Sequence, residues 1–433
     1  MRDRLQAMAR PPRLERWVPG APVVDGVVVL GATADGHLAR PVERQLAGLG
    51  VSTATALGDH QRAKALVFDA SGLRVVDDLA ALHRFFTPVL RRLAPCGRVL
   101  VLGIPPELAA DPVHSVARRA LEGFTRSLAK ELPGGGTAQL LLVADGAEQA
   151  LASTLAFLLS PRSAYVSGQV VRVGATGTLV PAGVHEARRP LAGRVVLVTG
   201  AARGIGAAMA RVLSRDGATV VGLDVAAVAS PLQAVSAEVG GDALVVDVTA
   251  PDAPHRIARH LRDRHDGVDV VVHNAGVARD RRLANMRPDR WDPVLRVNLA
   301  APLAITQHLL AEGVVRRGGA VVGVASIAGI AGNDGQTNYA TSKAGVVGLV
   351  DALSPVAAAL GVSANAVAPG FIETEMTAAM PLFARTAGRR LNSLAQGGQP
   401  VDVAEAVGWF AAAGSSAVTG NVLRVCGQSL LGA

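Results

Sequence analysis

Cysteine is nearly absent: Cys96 and Cys426 are the two in 433 residues, and neither sits in a CxxC or CxxH spacing. A disulfide framework and a zinc site are thereby excluded, no metal is expected, and a reducing cytoplasm fits. Aromatic residues amount to 3%, too few for the stacking that grips single-stranded nucleic acid, and no nucleic-acid motif occurs, so no such partner is expected. No uninterrupted apolar run reaches the roughly 18 residues of a bilayer span. The basic segment 1–22 is broken by Pro11, Pro12 and Pro19 and lacks the apolar centre of a secretory signal. The expectation is a soluble, cytoplasmic protein with no membrane partner.

What abounds instead is small and apolar. Half of the residues are hydrophobic and 48 are glycine, which suits parallel strands buried on both faces and packed closely against helices. The formal charge of +8 comes from 43 Lys and Arg against 35 Asp and Glu; it either steers an acidic partner or reflects an arginine-rich genome. The length exceeds one ordinary core, so two domains are expected. Their boundary lies in 181–193 (PAGVHEARRPLAG), rich in proline, glycine and charge. The chain thus divides into 1–183, an arm followed by a first domain, 184–190, a linker, and 191–433, a second domain.

In the second domain a short apolar run, 194–199 (RVVLVT), meets a glycine-rich turn, then helical spacing over 207–213, then a strand at 219–224. Strands at 243–248, 268–273, 320–325 and 363–367 continue the alternation, with helices near 258–264, 291–310 and 339–360. Such a run predicts an α/β fold, a Rossmann-like doubly wound parallel sheet. The first domain reads as a degenerate copy, flavodoxin-like or Rossmann-like. Its tail SAYVSGQVVRVG, 163–174, matches SAVTGNVLRVCG, 416–427. Likewise 97–103 (GRVLVLG) parallels 319–325 (GAVVGVA), and 115–132 parallels the helix that begins at Tyr339.

The turn Thr199-Gly200-Ala201-Ala202-Arg203-Gly204-Ile205-Gly206 follows a strand and opens a helix. Glycines there let backbone approach a pyrophosphate, and the helix terminus supplies free N–H groups and partial positive charge. Asp224 ends the next strand, where a carboxylate accepts both ribose hydroxyls and repels a 2′-phosphate; this favours NADH over NADPH. Arg203 argues the other way, since a cation in the turn pairs with that phosphate. Asp247, beside Val248, either hydrogen-bonds the adenine amino group or caps the following helix. Asn274, Ala275 and Gly276 follow the fourth strand, small enough for close cofactor passage, with Asn274 able to tie strand edges together.

Tyr339 and Lys343 are spaced i,i+4 and share a helix face. A phenol titrates near 10 unperturbed, and a neighbouring ammonium brings it closer to neutrality, which makes Tyr339 a general acid for a carbonyl that receives hydride. Ser326 follows a strand at the edge where ligands of such sheets bind, placed to hydrogen-bond the developing alkoxide. Asn298, an unfavourable residue inside a helix, is expected to hold a water in a relay with Lys343.

Assembled in this order, TGAARGIG, HNAG, VNLAAP, YATSK and Pro369-Gly370 make 191–433 resemble the short-chain dehydrogenase/reductase superfamily. The resemblance implies a tetrad of Asn298, Ser326, Tyr339 and Lys343, with Thr374 on the nicotinamide carboxamide and Ile372 nearby. His273 stands where the family often has a second Asn, a departure expected not to touch the chemistry. The runs 338–345 (NYATSKAG) and 365–377 (NAVAPGFIETEMT) are similar to the 3-oxoacyl-acyl-carrier-protein reductases, and the chain as a whole to their two-domain, high-molecular-weight actinobacterial members. These are implied to reduce β-ketoacyl thioesters with NADH, on acyl-carrier protein or coenzyme A; oxidation of a hydroxyacyl-CoA or another secondary alcohol is the alternative direction. Arg281, Arg282, Arg316 and Arg317 either meet the acidic carrier or are simply solvated.

Placing the first domain on the second sets His114 opposite Tyr339, Arg118 opposite Lys343, Ile104 opposite Ser326 and Arg84 opposite Asn298. All four roles are lost, and the glycine turn decays to Gly31-Ala32-Thr33-Ala34-Asp35-Gly36, with an acid facing the phosphates. The first domain is therefore expected to be non-catalytic and to substitute for a second subunit, two chains forming a homodimer that mimics a tetramer. Residues 371–400 read either as a mobile cover over the acyl chain, carrying Met376, Met380, Leu382 and Phe383, or as ordinary surface helices.

Overall fold

The computed structural model describes residues 11–174, 189–378 and 382–429. Most of the expected linker 184–190, residues 1–10 of the arm, and Met380 lie outside them, as does the side chain of Met376.

Two all-parallel sheets form. The first contains β1 (Val27–Ala32), β2 (Thr53–Ala54), β3 (Ala63–Asp69), β4 (Leu93–Gly103), β5 (Thr137–Val143) and β6 (Gln169–Val173), in the order β2-β1-β3-β4-β5-β6. The second contains β7 (Val195–Thr199), β8 (Thr219–Asp224), β9 (Asp242–Val245), β10 (Val268–His273), β11 (Val315–Val324), β12 (Ser363–Pro369) and β13 (Val422–Val425), in the order β13-β12-β11-β10-β7-β8-β9. Strands such as VVLVT in β7 are apolar throughout because helices cover both faces. The order reverses beside β7 and β10, which opens a crevice at their carboxyl ends, where ligands of such sheets bind.

Strand registers align the two sheets and show what the first has lost. A bulge between Ala63 and Ala65, opposite Leu93 and Arg98, recurs between Val268 and Val270, opposite Val315 and Ala320. The first sheet lacks a counterpart of β9 and the helices on either side of it: β2 runs through a loop directly into β3. That missing unit would flank the adenosine half of a dinucleotide site.

The two sheets meet through their last strands and the helices before them, Ala152–Leu159 and Pro400–Ala411. Phe157 stacks on Trp409 at 4.7 Å between centroids. Hydrogen bonds across this seam come in reciprocal pairs. Arg172 N–H donates to Asn421 Oδ1 (2.8 Å) and Arg424 N–H to Gln169 Oε1 (3.1 Å); Gly174 N–H donates to Ala417 O and Gly427 N–H to Tyr165 O, both at 2.9 Å. Such reciprocity is the signature of an isologous, two-fold contact, here between two halves of one chain. The arm crosses the seam: the guanidinium groups of Arg162 (3.9 Å) and Arg215 (4.4 Å) lie over the Trp17 ring, and Arg16 forms a two-pronged ion pair with Asp402.

Candidate active site

β7 delivers the chain into a turn that only glycine can build at two points. A Cβ on Gly206 would stand 2.0 Å from the Gly200 carbonyl oxygen, and one on Gly200 2.9 Å from Ala275 Cα, with φ there at +69°. Gly204 differs: φ is +56°, yet no described atom lies within 4 Å of a Cβ built there. Its Cα faces open space at the start of the helix Gly204–Arg215, which no side chain caps. Uncapped N–H groups beside the open space at Gly204 fit a pyrophosphate. Asp224 supports the turn by accepting from Ala202 N–H (3.0 Å) and Val225 N–H (2.9 Å). Asn274 ties it to β10, donating to the Thr199 and Gly200 carbonyls at 3.0 Å each.

The first sheet supplies the contrast. Register places Asp69 where the second sheet has Asn274. The Asp69 carboxylate is fully buried and accepts from Leu38 N–H (2.8 Å), Ala39 N–H (2.7 Å) and Ser71 N–H (2.9 Å). An internal anion thus occupies the helix terminus where a phosphate would bind. The Phe85 ring covers Gly31, at 2.3 Å from a Cβ built there. Asp35, the acid singled out in the sequence, instead pairs with Arg74 at the surface.

A cleft of about 720 Å³ runs from the glycine turn past Asp224, Asp247, Val248, Ala275 and Gly276 to Tyr339, Lys343 and Thr374. Arg203, Gly204 and Ile205 also line it. Asp247 does not cap the next helix, whose N-cap residue is Asp252; it accepts instead from Thr249 N–H and Oγ–H. Pro369, Gly370 and Ile372 stand behind the cleft: Pro369 ends β12, a Cβ on Gly370 would meet Cys426, and Ile372 is buried and bridged to Gly398.

Tyr339 and Lys343 project from the helix Thr337–Ala359. Lys343 is buried, its Nζ donating to the Val324 carbonyl (2.7 Å) and lying 5.6 Å from the Tyr339 ring centre. Burial lowers its pKa to about 8. Ser326 ends the segment after β11; its Oγ accepts from Ala328 N–H (3.1 Å), and its hydroxyl lies beside the Tyr339 phenol. The phenol departs from the expectation of a lowered pKa: burial raises it, the neighbouring Ser326 hydroxyl offsets part of the rise, and Asp280 adds to it. A phenol raised above its ordinary 10 is protonated at neutral pH, as a proton donor must be.

Asn298 lies at a break in the predicted helix. The long helix 291–310 is interrupted: Pro288–Leu295 and Ala301–Ala311 flank a π-helical turn, Arg296–Ala300. Asn298 lies in that turn, fully engaged. Its Oδ1 accepts from Val277 N–H (2.8 Å) and its Nδ2 donates to Val277 O and Ser342 Oγ (3.0 Å each). It clamps the wall of the cleft to the helix that carries Tyr339. Ser342, buried and donating to the Tyr339 carbonyl, completes this clamp; its position in the YATSK run was the signal that sequence reasoning passed over. His273 is buried beside Thr306 Oγ (2.7 Å), and burial holds its pKa at about 4, so it is a neutral core residue.

Residues 200–427 match the family described as Enoyl-(Acyl carrier protein) reductase. The chain belongs to the short-chain dehydrogenase/reductase family. Among its relatives is "3-oxoacyl-[acyl-carrier-protein] reductase FabG" of Thermotoga maritima, 38% identical over 242 residues, 55% of this chain and 98% of the relative. The proteins of the same name from Vibrio cholerae (38% over 239 residues; 55% and 97%) and Escherichia coli (35% over 243 residues; 54% and 96%) are similar to it as well. Membership makes the chain an NAD(P)-dependent oxidoreductase, and the matched residues contain the open cradle and the Tyr339–Lys343 pair.

Proposed function

We propose that this chain reduces 3-oxoacyl thioesters, on acyl-carrier protein or coenzyme A, to 3-hydroxyacyl thioesters with NADH. The observation that carries the reading is the meeting of Tyr339, its phenol beside the Ser326 hydroxyl, with Lys343 on one cleft that begins at the glycine turn. The names of the relatives support the substrate class. Asp224, lining the cleft, supports NADH; Arg203, also on the cleft, is the feature that would favour NADPH.

A nicotinamide dinucleotide held along the cleft by the glycine turn, Asp224 and Lys343 would supply the hydride that the ketone carbon receives. The protein's part is proton delivery and placement. Tyr339 donates its proton to the ketone oxygen as negative charge develops, and Ser326 holds that oxygen by a hydrogen bond, a contribution of roughly 3 kcal/mol for a donor of this kind. Lys343, buried and held by Val324 O, is placed to bind the nicotinamide ribose and to stabilise the phenolate left behind. Asn298 keeps Val277 and the catalytic helix in register, and Thr374, on the same cleft, would meet the nicotinamide carboxamide. Beyond Thr374, the helices Glu375–Ala378 and Leu382–Arg390 form a cover for the acyl chain; Leu382 and Phe383 are 73% and 80% exposed, as suits side chains awaiting an apolar partner.

The chain pairs with a second copy. Pro288–Ala311 and Thr337–Ala359 are long and apolar enough to span a membrane, yet about a third of each apolar stretch is buried. Both carry tetrad residues and pack on the sheet, so their outer faces, with Leu303 and Val356, fit a subunit contact better than lipid. The first domain stands in for one subunit of a dimer across the reciprocal seam.

Steady-state rates with acetoacetyl-CoA and NADH, with the same thioester and NADPH, and with 3-hydroxybutyryl-CoA and NAD test the reading. The highest kcat/KM is expected for the first pair; a clear preference for the third would assign the oxidative direction instead.

A further inference from the structure

We propose that the catalytically empty first domain positions the acyl-chain cover of the second, through Tyr165. This rests on the reductase reading for its consequence in catalysis, but not for its structural content.

The cover has a narrow neck. Its two ends are joined by the parallel bridge between Ile372 and Gly398, with Gly398 N–H donating to Phe371 O (3.0 Å) and Glu373 N–H to Gly398 O (2.8 Å). Glu373 and Arg389 close the neck with a two-pronged ion pair at 2.6 and 2.9 Å. Thr374, on the cofactor cleft, is the next residue along. Gly398 is therefore tied by hydrogen bonds to the backbone where the cover leaves the cleft.

Tyr165 holds that neck from the other domain. It is 1% exposed, and its ring lies so close to Gly398 that a Cβ there would meet it at 2.5 Å. Its hydroxyl donates to Gln396 O (2.8 Å) and accepts from Asn392 Nδ2 (3.3 Å). Asn392 in turn donates to Gln396 O and Arg389 O and accepts from Leu394 N–H. This turn contains Ala395 at φ +54°, a left-handed conformation unfavourable for alanine, so the contacts around it are what keep it in place.

An asymmetry between the two copies points the same way. In the second domain the chain between β12 and Pro400–Ala411 passes through 370–399; in the first, between β5 and Ala152–Leu159, it uses 144–151. Only the second domain has a cover to hold. Correspondingly, the tyrosine occurs only in the first domain's copy of the matching tail, facing that cover, whereas the second domain's copy carries Ala417 and Val418 there. A bulky hydroxylated residue stands where it has a neck to grip and is missing where it has none.

The test is Tyr165→Phe, which keeps the ring and removes the hydroxyl, set beside Ser153→Ala, which removes the Ser153–Ser415 hydrogen bond (2.8 Å) of the same seam away from the neck. Tyr165→Phe is expected to lower kcat/KM for acetoacetyl-CoA by about five- to tenfold, the loss expected of one buried hydrogen bond, with the NADH dissociation constant unchanged. Ser153→Ala is expected to leave both unchanged. Amide hydrogen exchange, which needs no substrate, is expected to quicken within 372–398 in Tyr165→Phe and not in β6. Equal kinetic losses in the two variants would reduce Tyr165 to a general seam residue and overturn the proposal. Unaltered exchange at the neck would do so even if the chain proved to act on another substrate.

Discussion

Replacing Asp224 by asparagine removes a charge and nearly keeps a shape. The carboxylate is half-buried at the end of β8 and holds two backbone N–H groups, those of Ala202 and Val225. Asparagine offers one acceptor oxygen, so one of those groups loses its partner, at about 1 kcal/mol of stability. Toward NADH, a ribose hydroxyl then meets a neutral acceptor instead of a charged one, a loss of roughly 1 kcal/mol, or about fivefold in kcat/KM. Toward NADPH the change has the opposite sign. Two like charges about 4 Å apart repel by roughly 1 kcal/mol in water and up to about 4 near a protein surface; solvent at this half-open position argues for the lower end, a gain of about fivefold. The ratio of kcat/KM for NADH over NADPH should therefore fall by about twenty-five-fold, the product of the two factors. Initial rates with acetoacetyl-CoA and each cofactor, at constant ionic strength, measure it. A ratio that stays within threefold of the parent, or a parent that already prefers NADPH, would show that Arg203 rather than Asp224 decides the cofactor.

Two further outcomes concern stability. His273 is buried neutral with its pKa held at about 4, against about 6.5 when unfolded; between these values the unfolded chain binds the extra proton, so stability falls as pH drops from 6.5 to 4, by about 3 kcal/mol. His273→Asn should flatten that part of the curve of melting temperature against pH. Asp69→Asn leaves at least one of three buried N–H donors short and removes the charge facing a helix terminus, so the first domain should lose about 2–3 kcal/mol in urea unfolding, with kcat unchanged.

The strand–turn–helix at 194–213 and the i,i+4 pair Tyr339 and Lys343 were legible because both are local: a period, a turn residue and a spacing on one helix fix them. The division into two related α/β units was legible for a similar reason, as matching tails at a nearly constant offset. What escaped was everything that depends on which groups are pushed together. Nothing in RVNLA announces a π-helical turn, and so the clamp of Asn298 on Val277 and Ser342 was not foreseen. Local spacing places an ammonium near the Tyr339 phenol but says nothing of burial, and burial wins. Asp69 reads as an unremarkable strand end until the sheet carries it to a helix terminus distant in sequence. The acid chosen from the sequence, Asp35, was near the right place and was not the group that fills it.

The account stands on Tyr339 as the proton donor to a ketone held by Ser326. Turnover of acetoacetyl-CoA by Tyr339→Phe, with NADH affinity followed in parallel by nucleotide fluorescence, measures this directly. Loss of about 10³-fold or more in kcat with unchanged NADH binding is the predicted result, within the range by which a positioned acid contributes. Turnover within tenfold of the parent would mean that another group delivers the proton, and the mechanism given for this cleft would be wrong.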